Sequence, residues 1–276
     1  TEGNNLGIGS NALGGPIAGG EFNVAIGNSS LDALTSGDLN TALGYNSGTS
    51  LTTGVRNVII GGDAARNVAQ GSSMVIIGDN ALGTGVATGS ENVIIGRNAG
   101  EDLTSAVESC YVGYESGLNA TTGDGNTVLG AHAVGAGVLT GNNNVVIGKL
   151  AGFDMTSAAS NVLIGEDAGA NLTTGVSNVV VGQGAGEALT SPERAIFIGQ
   201  NAGNGHDTEN DNLGIGYDAL GGSISSGGEK NVCVGNYSLD AVTSGDDNLA
   251  AGYNSGTNIQ AGTDNVALGK DAMSVV

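Results

Sequence analysis

The sequence has few of the residues on which catalytic and metal sites are built. Its 276 residues include no Trp, two Cys, two His and two Pro. His132 and His206 have no partner at the spacing of a zinc site. No phosphate-binding loop, Gly-x-Ser-x-Gly elbow or paired-cysteine motif occurs. We therefore expect a protein that is not an enzyme and that needs no cofactor.

Basic residues and long apolar runs are scarce as well. Seven Lys and Arg stand against 27 Asp and Glu, a formal net charge of −20. Such a surface repels nucleic acid and anionic lipid, and no apolar run approaches the length of a membrane span. We expect no nucleic-acid partner and no membrane insertion. Acidic turns such as Glu101-Asp102 leave weak calcium binding open beside plain solvated charge, although the calcium-binding nonapeptide of β-rolls is absent.

Glycine, in contrast, is abundant and regularly placed. The chain contains 52 glycines, and sixteen of them recur at intervals of 17 to 19 residues, eleven of the fifteen intervals being 17. They are Gly9, Gly27, Gly44, Gly61, Gly78, Gly96, Gly113, Gly130, Gly148, Gly165, Gly182, Gly199, Gly216, Gly235, Gly252 and Gly269. A short fixed period of this kind predicts a solenoid, whose coils bury apolar side chains by stacking on each other.

Each coil carries the unit Asn-Val-x-Ile-Gly, which predicts a short β-strand. Ala or Ser stands three residues after every glycine, and a turn such as Leu34-Thr35-Ser36-Gly37 follows. We predict an all-β fold, a parallel β-solenoid of about 16 coils of 17–18 residues. Residues 1–276 are expected to form a single continuous repeat domain. Coils 1–4 resemble coils 13–16, because residues 30–50 and 238–258 are identical at 16 of 21 positions.

The recurrent asparagine predicts an architectural ladder. It stands four residues before the glycine in thirteen of sixteen coils. Its amide can bond the backbone or the asparagine of the next coil and so satisfy polar groups inside the stack. The ladder is expected to include Asn23, Asn40, Asn57, Asn92, Asn126, Asn144, Asn161 and Asn178.

The middle residue of the strand is predicted to point outward, on the assumption that the flanking Val and Ile form the core. From coil 4 to coil 12 this stripe is large and apolar, which favours an oligomer interface. Its members are Ile59, Ile76, Ile94, Tyr111, Val128, Val146, Leu163, Val180 and Phe197. The alternative is a wide coil that buries all three strand residues. The same assignment places Cys110 inward and Cys233 outward, too many coils apart for an intrachain disulfide.

Two further sets of residues are candidates for binding. Tyr45, Tyr114, Tyr217 and Tyr253 each follow the strand glycine directly, so they share one corner of the coil and are candidate glycan contacts, with simple corner packing as the alternative. A file of threonines eight residues after the glycine raises ice binding as a minor hypothesis. The file consists of Thr35, Thr52, Thr104, Thr121, Thr156, Thr173, Thr190 and Thr243.

Several strings resemble a known class of repeats. NVAIGNSSLDAL, NTALGYNSG, NVIIGRNAG and NVALGKDAM are similar to the head repeats of YadA-like trimeric autotransporters, and to NVxIGxxAGxxLTTG repeats of bacteriophage tail fibres. The resemblance covers essentially the whole chain, although autotransporter head repeats are usually shorter. It implies a left-handed parallel β-roll that forms a parallel homotrimer and acts in attachment to surfaces.

Together these observations predict a non-enzymatic structural or adhesive rod of an extracellular fibre. Its place would be a phage tail fibre or a bacterial surface adhesin, and its partners would be two further copies of itself and a cell-surface glycan or protein receptor. One alternative is a subunit of a self-assembling extracellular filament that stacks head to tail. Another is a monomeric solenoid that binds ice or polysaccharide.

Overall fold

The protein is an all-β parallel solenoid of about 15 turns in the computed structural model, which describes residues 3–222 and 228–274. Sixteen three-residue strands follow one another in the sheet in chain order, so the predicted all-β parallel solenoid is confirmed. The strands are β1 (Leu6–Ile8), β2 (Val24–Ile26), β3 (Thr41–Leu43), β4 (Val58–Ile60), β5 (Val75–Ile77), β6 (Val93–Ile95), β7 (Cys110–Val112), β8 (Thr127–Leu129), β9 (Val145–Ile147), β10 (Val162–Ile164), β11 (Val179–Val181), β12 (Ile196–Ile198), β13 (Leu213–Ile215), β14 (Val232–Val234), β15 (Leu249–Ala251) and β16 (Val266–Leu268). No helix in the described ranges is long and apolar enough to cross a membrane.

The chain divides into two compact units, Thr1–Asn142 and Asn143–Val276. Unit 1 contains β1–β8 and unit 2 contains β9–β16. Within each unit, neighbouring strands pair in parallel without a register shift, as Ile59 with Ile76 and Leu163 with Val180 show. Equivalent residues of successive coils therefore stack into columns. The prediction of a single continuous domain stays a prediction.

The glycine that ends each strand is required by backbone geometry and by close stacking. After β1–β15 its φ lies between +133° and +144°, a region that side chains with a Cβ rarely adopt. A Cβ on Gly61 would also overlap the carbonyl oxygen of Gly78 in the next coil. The even glycine spacing thus marks the corner at which each coil leaves the sheet.

The predicted direction of the strand side chains is wrong. In β2–β16 the middle residue is buried, and the first and third residues are half-buried or exposed. The whole proposed interface stripe lies inside the coils with no exposed surface: Ile59, Ile76, Ile94, Tyr111, Val128, Val146, Leu163, Val180 and Phe197. These residues are core residues of their own chain and are not available to a partner.

The buried asparagine explains this inversion. It precedes the middle residue by two positions, and residues two apart in a strand share a face. Asn57 and Ile59 are both fully buried, so Val58 between them points to the outer face. The cysteines are inverted in the same way. Cys233 lies in the core, where burial raises its thiol pKa to about 12, and Cys110 is half-buried on the outer face.

In several coils a second column compensates for the size of the middle residue. The residue four positions after the glycine faces the same space. A Cβ on Gly117 would overlap the ring of Tyr111, so a large middle residue there needs glycine. Where the middle residue is Gly214, the fully buried Leu220 approaches it within 3.5 Å of the position of an added Cβ. The shrinking of the stripe towards both ends of the sequence is therefore internal packing.

The asparagine column forms a buried, hydrogen-bonded ladder. The Oδ1 of Asn144 accepts from the backbone N–H and from the Nδ2 of Asn161, both at 3.1 Å. The Nδ2 of Asn161 also donates to the carbonyl of Gly175 at 2.9 Å, and Asn178 repeats the arrangement on Asn161. The other predicted members are Asn23, Asn40, Asn57, Asn92 and Asn126, and each donates its Nδ2 to a carbonyl of the following coil.

The three coils without asparagine keep part of this pattern. The N–H groups of Met74 and Ala195 still donate to the preceding asparagine, and these residues then end a run of the ladder. Ser109 substitutes more fully, because its Oγ accepts from the N–H of Asn126 at 3.1 Å. A hydroxyl at this position can therefore satisfy the next coil, whereas an aliphatic side chain cannot.

Replacing Ile94 by Ala is expected to lower the free energy of unfolding by about 2–5 kcal/mol, because it leaves a cavity in a fully buried site. Val86→Ala is the control, since Val86 is 63% exposed at a turn and should change stability by about 0.5 kcal/mol or less. Denaturant unfolding followed by circular dichroism measures both. Equal effects of the two substitutions would contradict the inward direction of the middle residue.

Replacing Asn161 by Ala is expected to cost about 2–5 kcal/mol, because it leaves the buried N–H and Nδ2 of Asn178 without their acceptor. Asn161→Ser should cost less, since Ser109 already supports the next coil in this way. The measurement is hydrogen exchange around residues 145–181, where the Ala variant should lose protection and the Ser variant should keep most of it. Unchanged protection in Asn161→Ala would mean that the ladder does not hold the coils together.

Candidate functional site

The outer face of the sheet is an exposed apolar surface. The first and third residues of the sixteen strands make 32 outward positions, of which 29 are aliphatic and the others are Thr41, Cys110 and Thr127. None of the 32 is buried and none is charged. Soluble proteins seldom leave so large an apolar surface uncovered. We call it the outer sheet face, and it is a better candidate for contact with other molecules than the stripe inside the coils.

Charge is confined to the turns and corners. Acidic residues pair there with the few basic ones on neighbouring coils, as Lys149 does with Glu166 at 3.1 Å. Arg194 binds both carboxylate oxygens of Asp211, at 2.6 and 3.0 Å, and this holds the pKa of Asp211 below its usual range. Such exposed pairs stabilise little. The same coils therefore combine an apolar outer sheet face with strongly acidic turns.

The tyrosines that follow the strand glycines lie at an exposed corner, as predicted. Tyr45 is the most open of them, at 60% exposure. Tyr114 is partly covered, because the guanidinium of Arg97 lies 4.6 Å from its ring centre and the ring of His132 packs edge-on at 4.9 Å. His132 in turn contacts Glu115 through Nδ1 at 3.1 Å. Tyr114 is therefore occupied by corner packing.

Tyr217 and Tyr253 belong to a larger cluster, which the sequence search missed. Tyr237 lies on the coil between them and contacts both rings edge to face, at centroid distances of 5.2 and 5.9 Å. It stands two residues after its glycine, whereas the others stand one residue after. A search at a fixed offset skips it, but a search for aromatic residues on consecutive coils would have found it.

The threonine file takes part in stacking between coils. The Oγ1 of Thr35 donates to the carbonyl of Thr52 at 3.0 Å, and Thr52 donates to Ala69 at 2.9 Å. The pattern recurs at Thr104, Thr156, Thr173 and Thr243, while Thr190 bonds the carboxylate of Asp207. These hydroxyl protons are engaged within the protein, which weakens the case for an ice-binding face.

The part of the chain that the structure describes contains no pocket and no group of three or more His, Cys, Asp or Glu placed to hold a metal ion. No residue of the predicted sets is gathered into a cleft. The candidate surfaces are therefore open ones, namely the outer sheet face and the tyrosine corner.

His206 is an anomaly inside the core. It occupies a position that Leu172 and Leu189 hold in the two preceding coils, and it is fully buried against the ring of Phe197 at 5.2 Å. Neither ring nitrogen has a hydrogen-bond partner among the described residues. Burial lowers the pKa of His206 to about 3, and the backbone of Leu220 opposes this only weakly. The imidazole is therefore neutral in the folded protein.

Comparison with known proteins gives no relative: no family model matches the sequence, and no curated protein matches it significantly. The resemblance to autotransporter heads and tail-fibre repeats consequently stays a prediction.

Histidine 206 should make stability depend on pH. Its pKa is about 6.5 in the unfolded chain and about 3 in the fold, so the unfolded state binds one more proton between these values. The contribution of the neutral His206 to the free energy of unfolding is therefore complete above about pH 6.5 and is lost as the pH drops towards 3. Between pH 6.5 and 4.5, His206→Leu should lose about 2–3 kcal/mol less than the wild type. Denaturant titrations at the two pH values measure this.

The surface histidine supplies the control for this measurement. His132→Asn places at that corner the residue found there in other coils, such as Asn98 and Asn201, and leaves the buried imidazole of His206 in place. If the free energy of unfolding of both variants, His206→Leu and His132→Asn, fell between pH 6.5 and 4.5 as much as that of the wild type, the buried imidazole would not be the source of the effect.

Proposed function

We propose that this chain is a non-enzymatic structural and adhesive element of an extracellular fibre, assembled as a parallel homotrimer, that attaches to a cell surface. The observation that supports assembly is the outer sheet face, with its 29 aliphatic residues among 32 positions. In each unit this face presents two regular columns, so that a second copy in parallel register meets equivalent residues along its length.

Charge favours further copies of this chain as the occupants of the face. The net charge of −20 makes the turns of two copies repel each other. The outer sheet face carries no charged side chain, so it is the surface on which acidic copies can approach closely. Burial of Val and Ile side chains there stabilises the assembly by about 25 cal/mol for each Å² removed from water.

The number of copies and the fibre context come from the resemblance to YadA-like heads and tail-fibre repeats. A trimer directs one outer sheet face of each copy towards a common axis and leaves the acidic turns and the tyrosine corner outside. Repetition of weak sites on three chains increases avidity for a surface that displays many copies of a receptor. A glycan or a protein receptor on a virion's host or on a neighbouring cell fits this arrangement.

Two charged residues on the outer sheet face should break the assembly. Val58→Asp combined with Val93→Asp puts carboxylates on β4 and β6 at positions that do not reach the core. Burying them in an interface costs several kcal/mol. Light scattering should give a mass near three times 26.7 kDa for the wild type and near 26.7 kDa for the variant, with circular dichroism unchanged.

The matched control is Val86→Asp combined with Val138→Asp, two exposed turn valines of the same unit. This control should keep the wild-type mass. A folded face variant with the wild-type mass would refute the interface. A monomeric wild type would favour the single ligand-binding solenoid, and a broad range of very large species would favour the head-to-tail filament.

A further inference from the structure

Tyr217, Tyr237 and Tyr253 form a cluster of contacting rings at one corner of unit 2. Tyr217 and Tyr253 are 36% and 47% exposed, and Tyr237 is half-buried between them. The coils on either side carry no aromatic residue at the corresponding positions, where Gln200 and Lys270 stand. The fold therefore does not require aromatic rings at this corner.

We propose that Tyr217, Tyr237 and Tyr253 form a stacking platform for a neutral pyranose polysaccharide, an inference that rests on the proposed attachment function. The rings follow consecutive coils, with centroids 5.2 and 5.9 Å apart and planes inclined by 71° and 85° to each other, so they form a row along the stacking direction in which ring faces and ring edges alternate. An extended sugar chain brings apolar C–H groups to the ring faces in such a row. Ring faces carry negative potential and attract these C–H groups, while the phenol hydroxyls hydrogen-bond to sugar hydroxyls.

The carboxylates beside the row decide the charge of the ligand. Burial and the two neighbouring tyrosines raise the pKa of the Tyr237 phenol, and Asp218, which follows Tyr217 directly, raises it further. Asp240 lies near Asp218, which adds to the effect of burial in raising the pKa of Asp240. Ionised carboxylates accept hydrogen bonds from sugar hydroxyls and repel carboxylated or sulfated glycans. The platform therefore suits uncharged sugars.

The other tyrosine corners lack this combination. The ring of Tyr114 is already covered by Arg97 and His132. Tyr45 is exposed but has Asn28 and Gly62 at the same position on the coils beside it. A single ring gives one stacking contact, whereas three rings in a row add contacts along the same chain. This difference makes Tyr45 the natural control.

The test is affinity electrophoresis of the whole chain in native gels containing dextran, galactomannan or laminarin as neutral probes and heparin as the anionic probe. The wild type should be retarded by at least one neutral polysaccharide and not by heparin. Tyr237→Asn combined with Tyr253→Asn should weaken this retardation about tenfold or more. Asn already occupies the equivalent positions in Asn98 and Asn236, so the fold should tolerate both changes.

Three comparisons make the outcome decisive. Tyr45→Asn should bind as the wild type does, and Tyr237→Phe should bind nearly as well because the ring remains. Equal retardation of the double variant and the wild type would overturn the platform while leaving attachment to glycans intact. A wild type that no neutral polysaccharide retards, or that heparin alone retards, would overturn it as well. Light scattering on the same samples reports the proposed assembly independently, since none of these substitutions touches the outer sheet face.

Discussion

Every other feature of this protein depends on the close approach of successive coils at the glycine that ends each strand. There the backbone adopts φ near +140° and leaves no room for a Cβ beneath the next coil. Because the approach recurs without a register shift, equivalent residues form columns. The buried asparagine ladder and the threonine hydroxyl file exist because one position in a coil lies above the same position in the next.

The coil interior is narrow, and this explains how the sequence varies. It accommodates the middle strand residue, a small residue three positions after the glycine, and the two columns that lie four and seven positions after the glycine. The ring of Tyr111 fits because residue 117 is a glycine and has no side chain. Leu220 fills the space beside Gly214. His206 breaks the rule by placing an imidazole in an aliphatic column without a polar partner among the described residues. In the coils of Tyr111 and Gly214, the volumes of the two columns are adjusted to each other.

A sheet with a packed inner face and an apolar outer face has two hydrophobic surfaces but only one core. The inner surface is satisfied within the chain. The outer sheet face is aliphatic at nearly every position and carries no charged side chain, whereas the remaining surface is strongly acidic. This contrast separates a surface suited to self-association from corners suited to contact with the environment, and the tyrosine row lies among the latter.

The sequence by itself determined the period, the strand positions, the asparagine ladder and the parallel solenoid class, because glycine, asparagine and aliphatic residues each recur at fixed offsets. It also contained the direction of the strand, since a buried Asn57 two residues before Ile59 places both on one face. The Val and Ile on either side of the middle residue are more apolar than the asparagine, however, and composition alone predicted that they form the core. Only the tertiary structure decided which face is enclosed, because enclosure depends on how the coil closes and on how much volume it holds. It alone also brought Tyr237 between Tyr217 and Tyr253, since that contact depends on the height of neighbouring coils and on the angle at which each ring leaves the corner.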